Sequence, residues 1–128
     1  MQNIEKLRVY TDAKELTRQL YQRMKQAEVR TPFKLQDQIL GSMGSVAANL
    51  AEFSAMENDA QKKHKLMICI GECAETIFWF DIMKTDIIPS VPEQTDVADR
   101  LQKLKASLLS LYRSIERETG NGEREATV

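Results

Sequence analysis

The chain has 128 residues, of which 42% are hydrophobic and 29% charged, enough for one domain with a real core. Lys and Arg number 18 against 19 Asp and Glu, for a formal net charge of −1. That balance excludes a strong, purely electrostatic grip on nucleic acid, but it leaves room for a local basic patch.

Four helical patterns follow one another, and no strand pattern interrupts them. The first covers about 3–27, with an apolar stripe at Leu7, Tyr10, Ala13, Leu16, Leu20, Met24 and Ala27. Pro32 then marks a break, because proline disfavours helix at the residue before it.

The second pattern, LQDQILGSMGSVAANLAEF, begins at Leu35 and extends to about Met56. Its apolar residues recur at Leu35, Ile39, Met43, Val46, Leu50 and Phe53, three or four apart. Beside them runs a polar stripe of Gln38, Ser42, Ser45, Asn49 and Glu52. The remaining surface is small: Gly41, Gly44, Ala47, Ala48 and Ala51. Two glycines inside a helix cost roughly 1 kcal/mol each relative to alanine, so close approach of a neighbouring helix is expected there. Gln38, Ser45, Asn49 and Glu52 are expected to bond to one another or to nearby backbone as a structural seam.

Asn58 or Asp59 can cap a third helix over about 60–85. One face carries Leu66, Ile70, Cys73, Ile77 and Phe80, and Met67, Ala74, Phe78, Trp79, Ile82 and Met83 widen it beyond an ordinary amphipathic stripe. Pro89 and Pro92 read as stops before a fourth helix over about 93–118. Its seam is Val97, Leu101, Leu104, Leu108, Leu111 and Ile115, in strict four-three alternation. Gly120-Asn121-Gly122 is expected to end it and to leave residues 119–128 as a flexible tail. The fold expected is an all-α, up-down-up-down four-helix bundle over residues 1–118.

Catalytic or metal chemistry finds little to work with. Ferritin-like metal bundles need Glu-x-x-His pairs on two helices, and this chain has one histidine, His64, among Lys62, Lys63 and Lys65. Cys69 and Cys73 sit four apart with no evident base and read as buried thiols rather than a disulfide. No phosphate loop or nucleophile elbow occurs. The expectation is a non-enzymatic protein with no metal, no catalytic residue and no cofactor. No apolar run approaches the roughly 20 residues that span a membrane. MQNIEKLRVY lacks the apolar core of a signal peptide, so a cytoplasmic location without membrane partners is expected.

The basic residues of the first helix are the candidate nucleic-acid contacts: Arg8, Lys14, Arg18, Arg23 and Lys25, with Arg30 just beyond. Lys14, Arg18 and Lys25 share one helical face, and Asp12, Glu15 and Glu28 dilute it. Lys62, Lys63, His64 and Lys65 form a second group, and Arg100, Lys103 and Lys105 a third. Each group alone reads as a solvated face, and a dense basic surface arises only if subunits assemble.

The segment LQDQILGSMGSVAANLAEF resembles one in the four-helix-bundle proteins encoded in 23S rRNA intervening sequences. Leu35, Gln38, Ile39, Ser45, Asn49, Ala51 and Glu52 carry the resemblance. LRVYTDAKELTRQLY is similar to that family's first helix, and Gly71, Glu72 and Glu75 to a stretch of its third. Where the family has paired arginines this chain has Leu40 and Gly41, and where it has a glycine after the glutamate this chain has Phe53. The loss of the arginines weakens the carry-over of RNA contact from that segment. The resemblance implies a homo-oligomeric barrel of five bundles. It also implies kinship with the accessory variability proteins of diversity-generating retroelements, which bind RNA or DNA and partner a reverse transcriptase. The function expected is a nucleic-acid-binding or reverse-transcriptase accessory scaffold. The alternative is a structural oligomer or protein-interaction adaptor.

Overall fold

A helix buries one stripe against its neighbours, and in this chain each stripe alternates three and four residues. The computed structural model describes residues 2–26 and 32–127, with side chains described over 6–26 and 32–119. It holds four helices: α1 (Gln2–Gln26), α2 (Phe33–Phe53), α3 (Asp59–Ile87) and α4 (Val91–Thr127). They form an up-down-up-down bundle. α2 and α4 flank α3, α1 closes the square against both of them, and α1 and α3 meet only across the diagonal. Ala27, Glu28 and Arg30 lie outside the described residues.

Local chemistry sets the helix ends. Asn58 caps α3, its side chain accepting from the Gln61 amide at 3.0 Å. α2 starts two residues earlier than the apolar pattern, directly after Pro32, whose carbonyl accepts from the Leu35 amide at 2.9 Å. It also ends earlier than expected, at Phe53. α4 begins at Val91, so Pro92 lies within its first turn rather than stopping it, where a missing amide proton costs nothing. α4 also runs past Gly120-Asn121-Gly122 to Thr127. Glycine and asparagine are weak helix formers, whereas proline is the residue incompatible with a helix interior.

The core is one cluster drawn from all four helices. α4 contributes Val97, Leu101, Leu104, Leu108, Leu111 and Ile115, and α2 contributes Ile39, Met43, Val46, Leu50 and Phe53, as their spacing predicts. α1 departs from expectation at its first turns. Val9 is buried, Tyr10 is half-buried and Leu7 is 66% exposed. Six residues before Ala13, Leu7 stands about 120° around the helix from the core line, whereas Val9 stands close to it.

α3 also turns differently. Its buried line is Leu66, Cys69, Cys73, Thr76, Phe80, Met83 and Ile87, while Ile70 and Ile77 sit at the margin. Thr76 Oγ1 lies 2.8 Å from Ser42 Oγ of α2 and 2.8 Å from Glu72 O, and Ser42 Oγ lies 3.2 Å from Ile39 O. Either direction of donation ends on a helix carbonyl, so both buried hydroxyls are satisfied. Gln94 starts the α4 ladder, donating from Nε2 to Ile88 O at 2.7 Å. Among the described residues no buried side-chain polar atom lacks a partner.

Phe80, 2% exposed, sits in the middle of this core. Phe80→Ala is expected to cost about 3–5 kcal/mol, read as a lowered midpoint in urea unfolding followed by circular dichroism.

Candidate interaction surfaces

The helix rotations just described decide which charged and apolar groups face outward. On α1 the core line of Leu16 and Leu20 leaves Lys14, Arg18 and Lys25 on the far side, all exposed, with Tyr21 half-exposed near them. None of these three cations makes an ion pair with a described residue. Arg8 is exposed too, but off that line, beside Ser107 and Ser110 of α4.

Arg23 is differently placed. Its guanidinium grips Glu93 of α4 through both carboxylate oxygens, with Nε at 2.6 Å from Oε2. Gln19 Nε2 donates to the same carboxylate at 3.3 Å, and its Oε1 accepts from Arg100 Nη1 at 2.7 Å. The Arg23 hydrogen bonds hold the Glu93 carboxyl below the usual carboxylate range. Arg23 and Arg100 thus tie α1 to α4.

The polar stripe of α2 divides into parts. Asn49 Nδ2 donates to Ser45 O at 2.8 Å and lies 3.0 Å from Ser45 Oγ, while Asn49 Oδ1 accepts from Lys65 Nζ of α3 at 3.1 Å. The same ammonium lies 2.5 Å from Glu52 Oε2. Ser45, Asn49 and Glu52 are therefore gathered by Lys65, a residue that sequence reading assigned to a basic surface group. Gln38 is exposed and stands apart from them.

The thiols are poor nucleophiles. Burial pushes Cys69 up to about 12 and Cys73 up to about 11. His64 is exposed, and among the described residues no three His, Cys, Asp or Glu side chains gather as a metal would require. Burial, and then Glu75, raise the Glu72 carboxyl. No helix among the described residues is long and apolar enough to cross a membrane.

Two further surfaces stand out. The outward face of α3 presents Met67, Phe78 and Ile82 at 54%, 55% and 54% exposure, with Gly71 and Ala74 between them. Phe78 packs edge-on against Trp79, ring centroids 5.0 Å apart. The outward face of α2 is the opposite in shape. Gly41, Ala48 and Ala51 are exposed, Gly44 is half-exposed, and a Cβ built on either glycine meets nothing within 4 Å. The expected close helix approach at these glycines is thus absent within the chain, because α2 turns its bulky residues inward and its small ones to solvent. Beside Ala51 a hollow of about 520 Å³ opens between α1 and α2, and Leu7, Tyr10 and Leu50 line it. Lys6 at its edge stands 5.0 Å over the Phe53 ring, and burial lowers its pKa. The sequence signal for the α3 surface was the width of its apolar face, more than one helix can bury in a four-helix bundle.

Residues 5–110 match the family described as 23S rRNA-intervening sequence protein. A solved structure from Bacteroides thetaiotaomicron, a protein with unknown function from the S23 ribosomal protein family, superposes with a TM-score of 0.74. It shares 21% identity, over 85% of this chain and 98% of that one, and so supports the fold. No curated protein matches.

The Arg23–Glu93 pair generates a pH prediction. Its stabilisation is present above the unfolded carboxylate pKa and is lost as pH falls through the lowered folded value. Glu93→Gln is expected to cost about 0.5–1 kcal/mol near neutral pH, and the gap from wild type should close in acid. Urea titrations across that range measure both.

Proposed function

The chain belongs to the 23S rRNA-intervening sequence protein family, and on that premise we propose that it is a non-enzymatic, self-associating helical scaffold whose assembled surface contacts nucleic acid. The observation that carries the reading is the outward face of α3, where Met67, Phe78 and Ile82 stand more than half exposed. Phe78 and Ile82 lie one turn apart and Met67 three turns before them on the same face, and exposed apolar patches on a small protein mark interaction surfaces. Burying them against other copies removes that surface from water, at about 25 cal/mol per Å² of apolar area.

Nucleic-acid contact enters through α1. Lys14, Arg18 and Lys25 project away from the core without ion pairs to described residues, and Tyr21 beside them offers a ring for stacking. Three cations hold a phosphate backbone weakly. Each added copy contributes the same face, so assembly raises the number of phosphates engaged and the salt dependence with it.

Light scattering tests both halves of the reading. Protein free of nucleic acid should have a mass several times the 14.7 kDa of one chain. It should take up single-stranded RNA at low salt and release it at high salt. Lys14→Glu combined with Arg18→Glu should abolish RNA uptake without changing the oligomer mass or helical content. A monomeric mass overturns the scaffold reading. An oligomer indifferent to RNA leaves a structural oligomer or adaptor.

A further inference from the structure

α1 and α4 run antiparallel, and the two ends of their shared outer groove differ in how they treat arginine. At one end Arg23 meets Glu93, and Arg100 meets Gln19 and Glu15 at 2.7 and 3.8 Å. Each guanidinium there is answered from the facing helix. About four turns back along α1, the same register brings Arg8 opposite Ser107 and Ser110. Here the facing helix supplies two hydroxyls and no carboxylate, and Arg8 makes no ion pair with a described residue. We infer that the hollow between Arg8, Ser107 and Ser110 is a seat for one phosphate group. That seat goes beyond the proposed function, in which RNA meets Lys14, Arg18 and Lys25. Arg8 stands about 120° around α1 from Lys14, and the seat is complete within one copy.

Hydroxyls inside a helix commonly satisfy themselves on the carbonyl four residues back. Thr17, Thr76, Thr95 and Thr119 all do so, at 2.7, 2.8, 3.2 and 2.9 Å. Ser107 and Ser110 make no hydrogen bond to a described residue. Three residues apart, they stand one turn from each other on the same side of α4. Both hydroxyls and the Arg8 fork are therefore donors held around one hollow.

Size and charge select the ligand group. The hollow measures about 140 Å³. That is several times the roughly 30 Å³ of one water and well below the roughly 300 Å³ at which pockets for whole organic ligands begin. It suits a single group. A planar carboxylate offers two oxygens, which the arginine fork alone occupies. A tetrahedral phosphate offers further oxygens to the hydroxyls, and a hydroxyl also accepts from a proton that phosphate retains. Lys103, one turn before Ser107, and Arg113, three residues past Ser110, are exposed on the same side of α4. Asp12, one turn along α1 from Arg8, is half-buried and does not line the hollow. Cations thus outnumber acids among these neighbours, as an anion requires.

Phosphorus NMR of inorganic phosphate, titrated with protein at constant ionic strength, tests the seat. Wild type should broaden the phosphate line saturably. Arg8→Gln should weaken binding about tenfold, and so should Ser107→Ala combined with Ser110→Ala, the loss expected for a hydrogen-bonded contact to a charged group. Arg8 and Ser110 are exposed and Ser107 half-buried, so both variants should fold, and either serves if the other loses helical content. Lys14→Glu with Arg18→Glu should change phosphate binding by less than about twofold at physiological ionic strength. No saturable binding by wild type overturns the inference. So does binding unchanged in the Arg8 and serine variants, or weakened as much by the Lys14 and Arg18 changes. Anisotropy of a fluorescent single-stranded RNA identifies the source of the phosphate. Weaker RNA binding by Arg8→Gln, with inorganic phosphate competing against RNA, supports the seat as one for backbone phosphate. Unchanged RNA binding, with adenosine monophosphate bound and adenosine not, supports it as one for a free phosphate ester.

Discussion

Burial of a single three-four ladder from each helix sets the rotation of every helix in the bundle, and the surfaces follow from that rotation. α2 points Ile39, Met43, Val46 and Leu50 inward, which leaves Gly41, Gly44, Ala48 and Ala51 outside. α3 points Cys69, Cys73, Thr76 and Phe80 inward, which leaves Met67, Phe78 and Ile82 outside. On α1 the burial of Val9 in place of Leu7 puts Leu7 on the same outward side as Lys14, Arg18 and Lys25. A helix has one face per neighbour, and residues that no neighbour claims become the protein's outer surface.

Polar groups sharpen the fit between α2 and α3. Hydrophobic burial is non-directional, so by itself it tolerates small rotations that conserve the volume packed. The Ser42–Thr76 contact does not, because a buried hydroxyl turned away from its partner loses a hydrogen bond in a site without water. Lys65 adds a second tie at the rim through Asn49 and Glu52. Together they select the α3 rotation that buries Cys69 and Thr76, small side chains, against α2 and leaves Ile70 and Ile77 at the margin.

Charge on this protein is sorted by geometry rather than by composition. Arg23, Arg100 and Lys65 are spent on contacts between helices, with Glu93, Gln19, Asn49 and Glu52 as partners. Lys14, Arg18 and Lys25 are not, because the outward face of α1 has no neighbouring helix to supply a carboxylate. A chain with a net charge of −1 thereby carries a local basic face.

Fold class, helix number and the α2 and α4 core residues were legible in the sequence, because periodicity alone selects the inward face when the opposite face is polar or small. The site was less so. α3 is apolar nearly all round, so periodicity cannot choose between Ile70 and Cys69, or between Ile77 and Thr76, for the core. Arg23 and Lys14 are indistinguishable as letters in one basic helix; only the position of Glu93, 70 residues away in the chain, separates the paired cation from the outward ones. Spacing determines which residues share a face of their own helix. Which face meets a neighbour, and which is left over, depends on contacts distant in sequence, and those exist only in the packed bundle.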